Sequence, residues 1–122
     1  MSVPARIVVV HDDPEFAEQV VSALAGLGHD AVAFTDPMKA LEALDDPKKI
    51  ELLITRVRFQ PGKPNGVSLA RMARQKRPRI KVLFTALPEF AELVDGVGEF
   101  MPLPVELPEL MAAVERLLAP RP

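Results

Sequence analysis

The sequence contains no cysteine. Disulfides, thiolate metal sites and cysteine nucleophiles are therefore excluded. An excess of charge is lacking too. The formal net charge is -2, so bulk electrostatics draws the chain neither to nucleic acid nor to an anionic membrane. No apolar run approaches the ~20 residues of a membrane span. The early run Ile7 to Val10 is too short for the apolar core of a signal peptide. There is no internal repeat and no low-complexity segment. These absences point to a cytoplasmic protein in a reducing compartment, with no membrane partner.

What is present is the composition of a globular chain. Of 122 residues, 48% are hydrophobic and 26% charged, richer in apolar residues and nearer neutrality than a disordered chain. The length suits a single domain spanning 1-122, with a core over about 6-118 and residues 119-122 as a tail or the start of a linker. At this size folding buries roughly two thirds of the surface of the unfolded chain, enough for a sizeable core.

The hydrophobic pattern alternates between two kinds of element. Ile7-Val8-Val9-Val10 is a continuous β-branched run of the kind covered on both faces in parallel sheets. Asp13-Pro14 then supplies an N-cap and a first-turn proline. Phe16, Val20, Ala23, Leu24 and Leu27 follow at helical spacing, and Gly28 closes that helix. Ala31 to Phe34 reads as a second strand. Thr35 or Asp36 caps a second helix with Met38, Leu41 and Leu44 on one face. Glu51 to Thr55 is a third strand, and the loop Gln60 to Gly66 is rich in proline and glycine.

Val67, Leu69, Ala70, Met72 and Ala73 mark a third helix ending before Pro78. Ile80 to Phe84, Pro88 to Val94, Glu99 to Met101 and Pro108 to Leu118 read as strand, short helix, strand and helix. The last helix turns Leu110, Met111, Val114, Leu117 and Leu118 inward. Five strands alternating with five helices imply right-handed crossovers and a doubly wound parallel α/β sheet. In such sheets chemistry lies beyond the carboxyl ends of the strands. That places His11, Asp12, Asp13, Arg56, Thr85 and Leu103 at the candidate site.

Several local motifs, in order and near the right spacing, make the chain resemble the receiver domain of bacterial response regulators over about Arg6 to Leu118. Val10-His11-Asp12-Asp13-Pro14 resembles the end of that family's first strand. Leu53-Ile54-Thr55-Arg56 resembles its phosphoacceptor strand, and Pro61-Gly62 and Asn65-Gly66 resemble the turns that follow. Phe84-Thr85-Ala86 and Phe100-Met101-Pro102-Leu103-Pro104 resemble the ends of strands four and five. The resemblance implies a flavodoxin-like fold with strand order 2-1-3-4-5 and a role in a two-component pathway.

The resemblance also implies a site that is degenerate here. His11 stands at the first metal-binding acidic position, while Asp12 keeps the second. Arg56 replaces the phosphoacceptor aspartate, Thr85 is retained, and Leu103 replaces the lysine. Phosphoryl transfer to a side chain needs a nucleophilic oxygen and positive charge on the transferred oxygens. Arginine has no usable lone pair, a cation repels magnesium, and leucine carries no charge. The expectation is a receiver that is not phosphorylated, is not an enzyme, takes no cofactor or metal and works through protein partners.

Those partners would be a histidine kinase or an output domain, with homodimerisation as a further inference from the family. The segment Thr85 to Phe100 is about one helical turn shorter than usual, which weakens that inference. Arg56 either pairs with Asp12, Asp13 or both, or faces solvent. His11 is expected at the rim of the site without a task, with pH sensing as the alternative. Phe100, the family's switch aromatic, is expected in a fixed rotamer, and the Leu103-Pro104 bond is expected to be cis.

Two alternatives stand beside this reading. One is a phosphorelay receiver using Asp12 or Asp13 as acceptor. The other is a regulator associated with nucleic acid through the basic run Arg71, Arg74, Lys76, Arg77, Arg79 and Lys81. That run lacks interleaved aromatics and belongs to no known reading motif. It equally suits a helix end whose cations complement the macrodipole, so nucleic acid is not the expected partner.

Overall fold

The computed structural model describes residues 5-46, 48-59 and 65-119. The Pro61-Gly62 turn and the tail from Pro120 lie outside these. The elements in chain order are β1 (Arg6–Val10), α1 (Pro14–Gly26), β2 (Asp30–Phe34), α2 (Pro37–Ala43), β3 (Leu52–Thr55), α3 (Gly66–Lys76), β4 (Lys81–Ala86), a 3₁₀ helix (Pro88–Val94), β5 (Glu99–Pro102) and α4 (Leu107–Leu118). All four strand pairings are parallel, and the sheet runs β2-β1-β3-β4-β5. This is the expected flavodoxin-like topology.

The period of two along each strand divides the core between the faces of the sheet. Val8, Val10, Leu53, Val82 and Phe84 pack with Ala40 and Leu44 near α2 and with Leu69, Ala70 and Ala73 of α3. Ile7, Val9, Leu52, Ile54 and Leu83 pack instead with Val20 and Leu24 of α1 and with Leu110 and Val114 of α4. Each fully buried side chain of this size contributes about 1.5–3 kcal/mol by leaving water. The β-branched run of β1 is apolar throughout because both of its faces are covered.

Side-chain caps set where the helices begin. Asp13 Oδ1 accepts from the amides of Glu15 and Phe16 at 3.1 and 3.4 Å. Of the two proposed caps for α2 it is Asp36 that acts, accepting from the Met38 amide at 2.9 Å. Asn65 Oδ1 accepts from the Ser68 amide at 2.8 Å to start α3. Gly28 follows the end of α1 with φ 90°, a conformation that costs a side-chain-bearing residue free energy.

Two expectations need correction. Of the three residues placed on one face of the second helix, Leu44 is buried and Leu41 packs against the core, but Met38 is 46% exposed. Pro37 and Ala40 hold the buried face of α2 instead, because the register is set by the Asp36 cap. The fourth helix keeps its expected span but is 3₁₀. Seven residues must return the chain along the sheet to the start of β5. A 3₁₀ helix rises about 2.0 Å per residue against about 1.5 Å for an α-helix, so it covers the distance with fewer residues.

Candidate functional site at the carboxyl end of the sheet

The ends of β1 and β3 lie side by side, since Val10 and Thr55 are in register. The Arg56 amide continues that ladder, donating to Val10 O at 3.3 Å. The side chain following β3 therefore emerges next to those following β1. Arg56 Nη1 donates to Asp12 Oδ1 at 3.0 Å. Of the two orientations open for Arg56, the paired one is present, and its partner is Asp12. The guanidinium is 22% and the carboxylate 40% exposed. Among the described residues Arg56 Nε, which is buried, has no hydrogen-bond partner, so the pairing is not a fully satisfied fork.

Asp13 has a different task. Its carboxylate caps α1, as described above, and its own amide donates to His11 Nδ1 at 3.0 Å. With Nδ1 accepting, the neutral ring carries its proton on Nε2. His11 is not at the rim. It is 7% exposed, and its ring centroid lies 4.8 Å from that of Phe16. Burial lowers the His11 pKa below its ordinary value, and the neighbouring Arg56 lowers it further, with Asp12 and Asp13 opposing. The rim expectation failed because His11 follows β1 directly and its amide is still tied to Phe34 O, at 3.0 Å.

Backbone packing holds the Arg56 segment. The Gly66 amide donates to Val57 O at 2.7 Å. A Cβ at Gly66 would lie 1.7 Å from Arg56 O, so α3 can begin this close to Arg56 only with glycine there. The Thr55 hydroxyl donates to the same Arg56 carbonyl at 2.9 Å.

The remaining predicted residues divide. His11, Arg56, Leu103 and Pro104 line a shallow hollow of about 440 Å³, together with Phe16, Leu87 and Val105. The Leu103-Pro104 bond is cis, as expected, and the Leu103 amide donates to Ala86 O at 2.8 Å. Thr85 is buried in β4. Phe100 pairs with Phe84 across the strands and packs against the same core face. Neither Thr85 nor Phe100 lines the hollow. Sequence reasoning missed Phe16, Leu87 and Val105, apolar residues whose only sign was their nearness in sequence to the strand ends.

A hard cation such as the magnesium ion implied by the receiver resemblance fits these side chains poorly. Such ions take oxygen ligands. Here Asp12 is paired with a guanidinium, Asp13 caps a helix, and a neutral imidazole stands at the third position. Among the described residues no three His, Asp or Glu side chains are grouped to hold a metal. No step is derived through that ion.

The basic run is largely engaged in holding the fold. Arg74 donates to Val97 O, and Arg77 to Leu44 O and Asp46 O. Lys76 pairs with Asp45, and Lys81 donates to Leu117 O. Arg74, Arg77 and Lys81 thus satisfy carbonyls at helix ends and in loops, the orphan acceptors that such ends leave. Among the described residues no helix is long and apolar enough to cross a membrane.

Comparison with known proteins agrees with the fold. No protein-family model matches the chain. It is 30% identical over 117 residues to the DNA-binding response regulator MtrA of Mycolicibacterium smegmatis, a match covering 93% of this chain and 50% of that protein. The chain thus spans half the length of this curated relative. The non-phosphorylated HemR receiver domain of Leptospira biflexa superposes with a TM-score of 0.82 at 27% identity, covering 97% of this chain and 98% of that one. The chemotaxis response regulator CheY4 of Vibrio cholerae shares the fold with a TM-score of 0.82 at 19% identity, over 95% and 100% of the two chains.

Proposed function

We propose that this chain, a receiver domain of the response-regulator type by fold and by sequence, signals without being phosphorylated. It acts by binding protein partners rather than by catalysis. One observation carries the reading: the Arg56 guanidinium sits 3.0 Å from Asp12 at the position where the attacking carboxylate would be needed. A guanidinium has five donors and no acceptor, so it neither attacks phosphorus nor tolerates a divalent cation beside it. Leu103 leaves the transferred oxygens without an ammonium partner.

In this reading the Arg56–Asp12 pair takes the place of the ion and holds the domain in one conformation, and Phe100 keeps a fixed rotamer. A histidine kinase or an output domain is the expected class of partner within a two-component pathway. Phosphorelay through Asp12 or Asp13 is disfavoured because both carboxylates are engaged, one by Arg56 and the other by two amides of α1. Both keep solvent contact, so the alternative is open to direct test.

The test is incubation with a small phosphodonor and magnesium, followed by intact mass measurement. The expected mass is unchanged. A stable gain of one phosphoryl group that disappears in Asp12→Asn or Asp13→Asn would overturn the proposal.

A further inference from the structure

At the amino end of the sheet, opposite Arg56, lies a second hollow of about 650 Å³. Lys49, Lys76, Arg77, Arg79 and Lys81 border it, with Glu51 as the lining carboxylate. Its apolar lining includes Ala5, Ile50, Ile80 and Leu118. Three of the cations are engaged: Lys76 with Asp45, Arg77 with Leu44 O and Asp46 O, and Lys81 with Leu117 O. Lys49 and Arg79 are exposed and make no ion pair or hydrogen bond among the described residues. The hollow therefore offers two free cations over an apolar floor.

The complementary surface is on the same chain. The segment from Leu87 to Asp95 carries Glu89, Glu92 and Asp95, all exposed, and contains no Lys or Arg. Leu87 and Leu93 are 45% and 58% exposed. Arg58 lies over the Phe90 ring at 5.5 Å and is a cation beside the segment. Acidic residues thus flank exposed leucines here, while basic residues flank the partly exposed Leu118 at the hollow, where Ile50 and Ile80 are buried.

We propose that the chain self-associates head to tail, the acidic Leu87–Asp95 segment of one copy docking in the basic hollow of the next. The two surfaces differ, so the contact is heterologous and adds copies in a row instead of closing a symmetric pair. Nucleic acid suits the hollow less well. Two free cations would release few counterions, giving a salt slope of only about -2, and no aromatic lines the hollow for stacking. The hollow lies at the end of the sheet remote from Arg56, and although Leu87 of the acidic segment also lines the hollow beside Arg56, the charges that dock are not those of the Arg56–Asp12 site, so the proposal does not rest on whether the domain is phosphorylated.

Sedimentation velocity over a wide concentration range tests it. The intact chain is expected to sediment faster as concentration rises. It should return to the monomer in about 1 M salt, where the Debye length is about 3 Å. Lys49→Glu/Arg79→Glu and Glu89→Lys/Glu92→Lys alter only exposed side chains, and each variant alone should remain monomeric. Mixed together, they should associate again in alternating rows, because the acidic segment of one meets the basic hollow of the other and the reversed surfaces also match each other. A chain that stays monomeric at every concentration would overturn the proposal. So would variants that associate like the original or mixtures that stay monomeric. Binding of a short DNA duplex that is lost in Lys49→Glu/Arg79→Glu, by a chain that stays monomeric, would overturn it in favour of nucleic acid.

Discussion

The two ends of the sheet each bury a histidine, and they use it differently. At the amino end the His29 side chain is fully buried. Its Nδ1 accepts from the Ala5 amide at 3.0 Å, and its Nε2 donates to Glu115 at 2.9 Å, joining the approach to β1, the α1–β2 turn and α4. Arg77 and Lys81 satisfy helix-end carbonyls nearby. At the carboxyl end the His11 pairing is local, and Arg56 pairs with Asp12 through one nitrogen while its Nε has no partner among the described residues. Buried polar groups that join distant elements support the fold. Partly exposed charges contribute little to it. The carboxyl end can therefore change its chemistry while the architecture stays the same.

The strongest challenge to this contrast comes from the backbone. Gly66→Ala would drive a Cβ into Arg56 O, and we expect a loss of about 3 kcal/mol, at the upper end for overpacking. Urea unfolding reads it. A loss below the error of that method would show that α3 moves freely away from Arg56.

Next in size is the latch at the amino end. His29→Leu orphans the Ala5 amide and removes the partner of Glu115, for an expected loss of about 2 kcal/mol. If thermal unfolding shows no change, the amino end is no better anchored than the other.

A smaller effect is expected from Arg56 and Asp12. A double-mutant cycle with Arg56→Met and Asp12→Asn should give a small favourable coupling of about 0.2–1 kcal/mol, as partly exposed pairs do. A coupling several times larger would make this pair a stability device and erase the contrast between the ends. A coupling of zero would remove the lock from the proposed function.

The last prediction is a pH dependence. The folded protein holds His11 below its ordinary value of 6.5, so the unfolded chain binds protons there more readily. The His11 contribution to stability is complete above about pH 6.5 and is lost as the pH falls below it. His11→Phe should flatten the acid side of the stability profile. An NMR titration placing His11 at or above 6.5 would contradict the burial argument.

Much of this was legible in the residues. The β-branched run of β1, the caps at Asp13 and Asn65 and the helical spacing of Val20 and Leu24 act within a few residues of themselves, so the order of elements follows from local patterns. The motif at Phe100 to Pro104 located the cis bond by resemblance. The 3₁₀ form of Pro88–Val94 and the outward turn of Met38 were not legible, because the first depends on the distance back to β5 and the second on which residue caps α2.

The sequence by itself determined that no carboxylate stands at position 56, since a guanidinium lacks the lone pair that attack requires at any ordinary pH. It also determined the alternation from which a parallel sheet follows. Only the tertiary structure decided that Arg56 turns to Asp12, 44 residues away, that His11 is buried and that half of the basic run caps carbonyls. Those outcomes depend on distances between segments far apart in the chain, which are set by how the helices pack on the sheet.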